Sequence, residues 1–335
     1  MKELKVGVIG CGAIGKAHVQ RLSNEVAGAK VTAVSDYVQD TAREVAEEYD
    51  AQFFASAKDL IACDEVDAIL IASSDPSHAE YTLECIRNRK PVLCEKPLAL
   101  TASDCEKILH EEMMAERHLV QVGFMRRYDS GYVEMKKAIE NGRLGTPLMI
   151  NCAHRNFYQP ENFKTDMAIT NVAIHELDIS RWLLSDEYED AQVLKVRQNT
   201  KTNSDHLNPQ LCILQTKAGA RVIIEVQTTN AYAYDIQCQV VGELGVINLP
   251  DPSRAYMRTE AHTETPLMTD WSERFIDAYT VELQEWVKGV HKNCVEGPSA
   301  WDGYAACVTA DALITSRKTG KPEKVLTIEK PEFYK

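Results

Sequence analysis

The sequence predicts an α/β protein: an N-terminal doubly wound parallel sheet, then an α+β domain with a large, mostly antiparallel, open-faced sheet. Three observations carry this. Through about residue 123, short apolar runs alternate with segments of helical period, the rhythm of βαβ units whose sheet is buried on both faces. After about residue 145, strand-like runs separated by turn signals replace it. The 335 residues, 44% of them hydrophobic, exceed one typical domain and supply two cores.

In the first part the apolar runs are 6–9, 31–34, 68–72, 92–94 and 119–122, with helices over 77–89 and 102–116 between them. In the second part a helix over 170–184 precedes strands over 191–197, 210–215, 221–228 and 234–241. The turns there are Lys217-Ala218-Gly219 and Gly242-Glu243-Leu244-Gly245. The division expected is 1–123 for the first domain and 124–335 for the second, with the C-terminal helices packing back on the first. Several later strands mix polar and apolar residues on both phases, which predicts a sheet face covered by another copy of the chain.

The ten cysteines are scattered without a C-x-x-C pair, which fits reduced, mostly buried thiols better than a disulfide framework or a zinc site. No metal site is expected. Met1-Lys2-Glu3 leads directly into a strand pattern, and no apolar stretch of membrane-spanning length occurs, so a soluble cytoplasmic protein with no membrane partner is expected. A formal net charge of −13 disfavours phosphate backbones, so nucleic acid is not an expected partner.

Gly10-Cys11-Gly12-Ala13-Ile14-Gly15 begins where the first strand ends and opens a helix, the setting that distinguishes a dinucleotide-binding G-x-G-x-x-G from a chance match. Gly10 permits the tight turn, Gly12 has no Cβ to block a pyrophosphate, and Gly15 lets helix and strand approach, while the helix N-terminus offers N–H groups to the phosphates. Asp36 ends the second strand 21 residues after Gly15, close to the spacing expected for the acid that binds the adenosine ribose. A carboxylate there accepts from a 2′-hydroxyl and repels a 2′-phosphate, so NAD is expected over NADP, and Tyr37 adds no phosphate anchor.

Cys94-Glu95-Lys96-Pro97 follows another parallel strand, in the crevice region where open sheets bind ligands, and Pro97 restricts the backbone beside Lys96. On the 170–184 helix, Asn171, His175 and Asp178 fall at i, i+4 and i+7, placing three polar groups on one face. A carboxylate one turn from a histidine can fix its tautomer and tune a base that works near neutral pH.

At these residues the chain resembles the Gfo/Idh/MocA oxidoreductases, and within them the bacterial inositol dehydrogenases. The markers are the Gly10–Gly15 loop, Glu95-Lys96-Pro97, Gly123-Phe124-Met125-Arg126-Arg127-Tyr128-Asp129, Ala153-His154-Arg155-Asn156, His175-Glu176-Leu177-Asp178, Tyr234-Asp235-Ile236-Gln237 and Ser299-Ala300-Trp301-Asp302-Gly303-Tyr304. The resemblance covers essentially the whole chain. It implies a Rossmann domain, hydride transfer from one ring hydroxyl of a cyclitol to NAD, and a homotetramer. His175 would be the general base, and Lys96 would hydrogen-bond the reacting oxygen. Arg126, His154, Asn156, Asp178 and Tyr234 would hold the other hydroxyls, and the cofactor set would be Gly10, Gly12, Ala13, Ile14, Gly15, Asp36, Ser73, Glu95 and Lys96.

One position departs from the pattern. Inositol dehydrogenases of this type usually carry an aspartate one turn before the histidine, where this chain has Asn171, an amide that hydrogen-bonds but cannot pair ionically. Sugar-directed branches of the family use Asn there, so a sugar or glycoside dehydrogenase stands as an alternative, with Phe157-Tyr158 as an aromatic pair for a pyranose or for ordinary packing. A non-catalytic NAD-sensing protein is the alternative from another class, and the presence of both Lys96 and His175 argues against it.

Overall fold

The computed structural model describes residues 3–160, 162–202 and 206–335. The chain divides into two compact units, one comprising Met1–Met125, Asp277–Cys307 and Thr327–Lys335, the other Arg126–Ile276 and Val308–Leu326.

The first unit is built on a six-stranded parallel sheet of β1 (Leu4–Ile9), β2 (Ala29–Ser35), β3 (Gln52–Phe53), β4 (Ala68–Ile71), β5 (Val92–Glu95) and β6 (Val120–Gly123), ordered β3-β2-β1-β4-β5-β6. The order reverses at β1, the switch point where doubly wound sheets open a ligand crevice at their carboxyl ends. β4, β5 and β6 are buried at every position, which is why they read as unbroken apolar runs. The connections are α1 (Ala13–Asn24), α2 (Gln39–Glu48), α3 (Ala57–Ala62), α4 (His78–Arg87) and α5 (Ala102–Met114). The Thr101 hydroxyl starts α5 by accepting from the Asp104 amide at 3.1 Å. The two-residue β3 was not among the expected strands, being too short to show a period.

The second unit contains α6 (Ser130–Glu140), β7 (Pro147–Arg155), α7 (Ile174–Leu184), β8 (Tyr188–Leu194), β9 (Gln210–Thr216), β10 (Arg221–Gln227), β11 (Asp235–Gly242) and β12 (Val246–Asn248). A hairpin of β13 (Met257–Thr259) and β14 (His262–Glu264) and a short α8 (Trp271–Arg274) follow. The seven-stranded sheet runs β12-β11-β7-β10-β9-β8-β15, with β15 at Glu323–Lys324, and every pairing is antiparallel except β7 with β10. Its interior strand β7 was not among the expected strands, although Leu148, Ile150 and Cys152 alternate along it. Two strands far downstream, β10 and β11, flank it. The stretch expected as one helix over 170–184 begins as a π-helical turn, Ala168–Ala173, before α7 continues as an α-helix.

The chain then forms α9 (Ile276–His291) and α10 (Ala300–Thr319). From α9, Leu283, Trp286 and Val287 enter the apolar cluster of the first unit beside Val6, Leu22 and Leu70. Burying a side chain of this size contributes about 1.5–3 kcal/mol. No helix among the described residues is long and apolar enough to cross a membrane. All ten cysteines are free thiols, and all but Cys63 and Cys294 are buried.

Candidate active site

The expected site residues form two groups, one on each unit. In the first unit the glycine loop leaves β1 and enters α1. Gly10 has φ +100°, and a Cβ on it would lie 2.4 Å from the Ala72 carbonyl. A Cβ on Gly15 would lie 1.9 Å from the Gly10 oxygen, so only glycine lets the helix start this close to the strand. Around Gly12 nothing lies within 4 Å of a Cβ position, which leaves that side of the loop open to a ligand. Asp36 accepts from the Cys11 amide at 2.6 Å and the Val38 amide at 2.7 Å, so its carboxylate is held at the end of β2. Gly10, Gly12, Asp36, Ser56, Lys58 and Ser73 are among the residues lining a cavity of about 750 Å³. A backbone cradle, a fixed acceptor and that volume suit the adenosine diphosphate portion of a dinucleotide. Ala13 and Ile14 form the first turn of α1.

Glu95 ends β5 and Lys96 follows it. Glu95 is buried, its Oε1 lying 2.7 Å from Nε2 of the fully buried His18 and its Oε2 accepting from the Lys96 amide at 3.2 Å. Burial would raise the Glu95 carboxyl, but His18 and Lys96 outweigh it and hold the group below its ordinary value. The Lys96–Pro97 peptide is cis. Beneath it His78, also buried, places Nδ1 2.7 Å from the Pro97 carbonyl and Nε2 3.0 Å from the Ser73 carbonyl. Sequence reasoning passed over His18 and His78, because each meets its partners only after the sheet has formed.

In the second unit the polar residues converge on α7. His175 and Asp178 are buried, at 7% and 1% exposure, so the helix is enclosed on both its polar and its apolar faces. Asn171 lies on the π-helical turn ahead of them and accepts from the Thr170 hydroxyl at 2.9 Å. π-Helical turns inside helices concentrate at functional sites. Arg127 grips Asp178 in a two-pronged pair, Nε to Oδ2 at 2.9 Å and Nη2 to Oδ1.

Arg126 donates through Nη1 to Glu176, and the other Glu176 oxygen lies 2.9 Å from His154 Nδ1. Burial opposes the charge on Glu176, but Arg126 and His154 prevail and keep its carboxyl low, while Glu176 in turn keeps the Arg126 guanidinium charged. The His154 ring centre is 6.2 Å from that of His175 and 5.9 Å from that of Tyr234. Asn156 follows β7 with its backbone bonded to Gln227 and Asn230, and Phe157 and Tyr158 beyond it are exposed.

The structure therefore brings Arg126, His154, His175, Asp178 and Tyr234 together, and adds two partners that the sequence reading left unassigned, Glu176 and Arg127. A charged residue facing inward on an otherwise enclosed helix was the signal for Glu176, but its helical period alone did not separate it from a solvated face.

The oxidoreductase family's NAD-binding Rossmann-fold pattern matches residues 4–124, and its C-terminal alpha/beta-domain pattern matches residues 136–325. An inositol 2-dehydrogenase of Klebsiella pneumoniae is 51% identical, and one of Burkholderia multivorans 46%, each over 99% of both chains. Among solved structures, the myo-inositol dehydrogenase of Lactobacillus casei in complex with NAD(H) and myo-inositol superposes with a TM-score of 0.97 at 36% identity, covering 99% of this chain and 100% of that one. A probable dehydrogenase of Thermotoga maritima superposes with a TM-score of 0.89 at 27% identity, over 96% of this chain and 99% of that one. With both domain patterns matched in order and full-length relatives at this identity, the chain belongs to the Gfo/Idh/MocA oxidoreductase family.

Proposed function

We infer that this chain is an NAD-dependent dehydrogenase that oxidises one ring hydroxyl of an inositol, with myo-inositol the first substrate, to the ketone. The observation that carries the reading is the enclosed polar group around α7, in which Arg126, His154, His175, Asp178 and Tyr234 offer many donors and acceptors on fixed elements. A polyhydroxylated ring needs such a lining, because only multiple hydrogen bonds decide which hydroxyl reacts. The names of the full-length relatives point the same way.

NAD, when bound, accepts the hydrogen of the reacting carbon as a hydride. We assign His175 the hydroxyl proton and Lys96 a hydrogen bond to the same oxygen, opposing its developing negative charge. Asn171 supplies a neutral hydrogen-bonding group one turn before the base. Arg126 and Asp178 each already hold an internal ion partner, so their roles toward ring hydroxyls fall to remaining N–H groups and lone pairs. Gly10, Gly12, Ala13, Ile14, Gly15, Asp36, Ser73 and Glu95 are assigned to the cofactor, within a domain 1–123, and Asn156 to the substrate within 124–335. The same reading makes the protein a cytoplasmic homotetramer, and sedimentation showing monomer alone at micromolar concentration would remove the assembly.

The test is NADH absorbance with purified protein, NAD or NADP, and a panel of inositol isomers, glucose, xylose and a simple glucoside. A rise with NAD and an inositol is the expected result. A rise only with sugars would overturn it in favour of a sugar dehydrogenase, the reading that Asn171 and the exposed Phe157 and Tyr158 support. Cofactor binding with no substrate-dependent NADH would leave a sensor instead.

A further inference from the structure

Glu176 is fully buried, and its two oxygens face two different residues of the proposed ring-binding group, Arg126 and His154. Around His154 Nδ1 the neighbours make opposite demands. Glu176 Oε2, at 2.9 Å, can only accept while ionised and so requires a proton on Nδ1. Arg126 Nη2, at 3.1 Å, can only donate and so requires a lone pair there. Both cannot be met.

The carboxylate has the stronger claim. A buried N–H to carboxylate bond is charge-assisted, whereas a lone pair at 2.9 Å from a carboxylate oxygen is repelled by it. Arg126 loses little by conceding Nδ1, since Nη1 is bonded to Glu176 and the Tyr234 side chain takes part in a further hydrogen bond with the guanidinium. The other titratable rings facing His154 are Tyr234 and His175, 5.9 Å and 6.2 Å away between centres, both farther from the imidazole than the Glu176 oxygen at 2.9 Å from Nδ1.

We propose that Glu176 is a positioning residue that, in the uncharged form of the His154 ring, fixes the proton on Nδ1, so that Nε2 then carries the lone pair and accepts a hydrogen bond from a substrate hydroxyl. The proposal rests, for its substrate, on the inositol reading above. Its consequence is specificity: His154 becomes an acceptor in a lining otherwise rich in cationic donors, and the hydroxyl opposite it must donate. Glu176 itself touches no substrate in this account and acts through the imidazole.

Two measurements test this separately. Nitrogen NMR of histidine-labelled protein without substrate, at alkaline pH and with His154 assigned by loss of its signal in His154→Gln, reads the tautomer directly. A proton on Nδ1 and none on Nε2 are expected, and the reverse pattern would overturn the proposal whatever the substrate is. In Glu176→Gln the amide can donate to Nδ1 and accept from Arg126, so the tautomer should reverse. The KM for myo-inositol should then rise about tenfold or more, the scale of one mismatched buried hydrogen bond, with the KM for NAD unchanged. A reversed tautomer with an unchanged KM would overturn the positioning role. Should Glu176→Gln fail to fold, Glu176→Asp keeps the carboxylate and is expected to keep the proton on Nδ1, and loss of that tautomer in the folded Asp variant would equally overturn it. Absence of turnover with any inositol, with the tautomer as expected, would fault the substrate reading and leave the Glu176–His154 pair standing.

Discussion

His78 directs Nδ1 at the carbonyl oxygen of Pro97, 2.7 Å away, while its Nε2 faces the Ser73 carbonyl at 3.0 Å. A carbonyl only accepts, so both ring nitrogens must donate and the buried ring is an imidazolium. Burial works against that charge, but the adjacent Cys94 side chain and the two carbonyls overcome it and raise the group to about 10. The cation thereby ties the loop after β4 to the segment carrying Lys96.

The sign of the linkage follows. Between an unfolded value of about 6.5 and the folded value, the native state keeps a proton that the unfolded chain has released, so stability falls as pH rises through this window. His78→Gln removes that slope. Melting temperatures measured from pH 6.5 to pH 10 should decline more steeply in the wild type than in the variant, and parallel curves would refute the buried cation.

Glu95 and His18 present the opposite sign. A folded carboxyl held below its unfolded value stabilises at higher pH and loses that contribution as pH falls through the folded value. His18→Leu strands the buried carboxylate and should cost about 3 kcal/mol of stability at neutral pH, with a smaller loss in acid where Glu95 gains a proton. Gly123 bears on the same group, since a Cβ there would lie 2.9 Å from Glu95 Oε2. Gly123→Ala should therefore lower kcat by displacing Glu95 from the Lys96 amide, while denaturant unfolding and steady-state rates together separate this from a folding defect.

These pairs mark how much of the molecule was legible in the sequence. The glycine loop, Asp36 and Glu95-Lys96-Pro97 were readable because their chemistry is local, a turn or a strand end within a few residues. The parallel strands were readable because burial on both faces leaves unbroken apolar runs. β7 was not, since Asn151, His154 and Arg155 interrupt its apolar pattern and its partners β10 and β11 lie far downstream, 72 and 90 residues away in the pairings Ile150–Val222 and Ile150–Val240. The roles of Glu176 and Arg127 were hidden for the same reason: their partners come from segments about 50 residues away.

Asp36 offers a change of cofactor preference. Both its oxygens already accept backbone N–H groups, which fixes the carboxylate where a ribose hydroxyl would reach it. Asp36→Ser should raise the KM for NAD about tenfold, the loss of a charge-assisted hydrogen bond, and narrow the preference over NADP by removing the repulsion toward a 2′-phosphate. The ratio of kcat/KM for the two cofactors is the measurement, and an unchanged ratio would move the ribose contact elsewhere.

Lys96→Ala and His175→Ala are each expected to cut turnover at least about 100-fold, the usual scale of acid–base and oxyanion contributions. Cofactor fluorescence should show NAD still bound to both variants. Near-normal turnover in either would strip that residue of its assigned role.

Asn171→Asp tests the departure in the family pattern through a pH profile. Asn171 stands one turn ahead of His175 on the same helical stretch, so a carboxylate there stabilises the His175 imidazolium and raises the pH at which the ring loses its proton. A base works only when unprotonated, and the acidic limb of the kcat profile should therefore move to higher pH in the variant, by about one unit for a close carboxylate. Turnover well above that limb should remain within about tenfold of the wild type, because an aspartate keeps a hydrogen-bonding oxygen where the amide had one. A limb that stays in place would mean that position 171 does not sense the base, and the preference for a neutral amide would then have to be sought in the substrate by comparing KM values across the inositol and sugar panel.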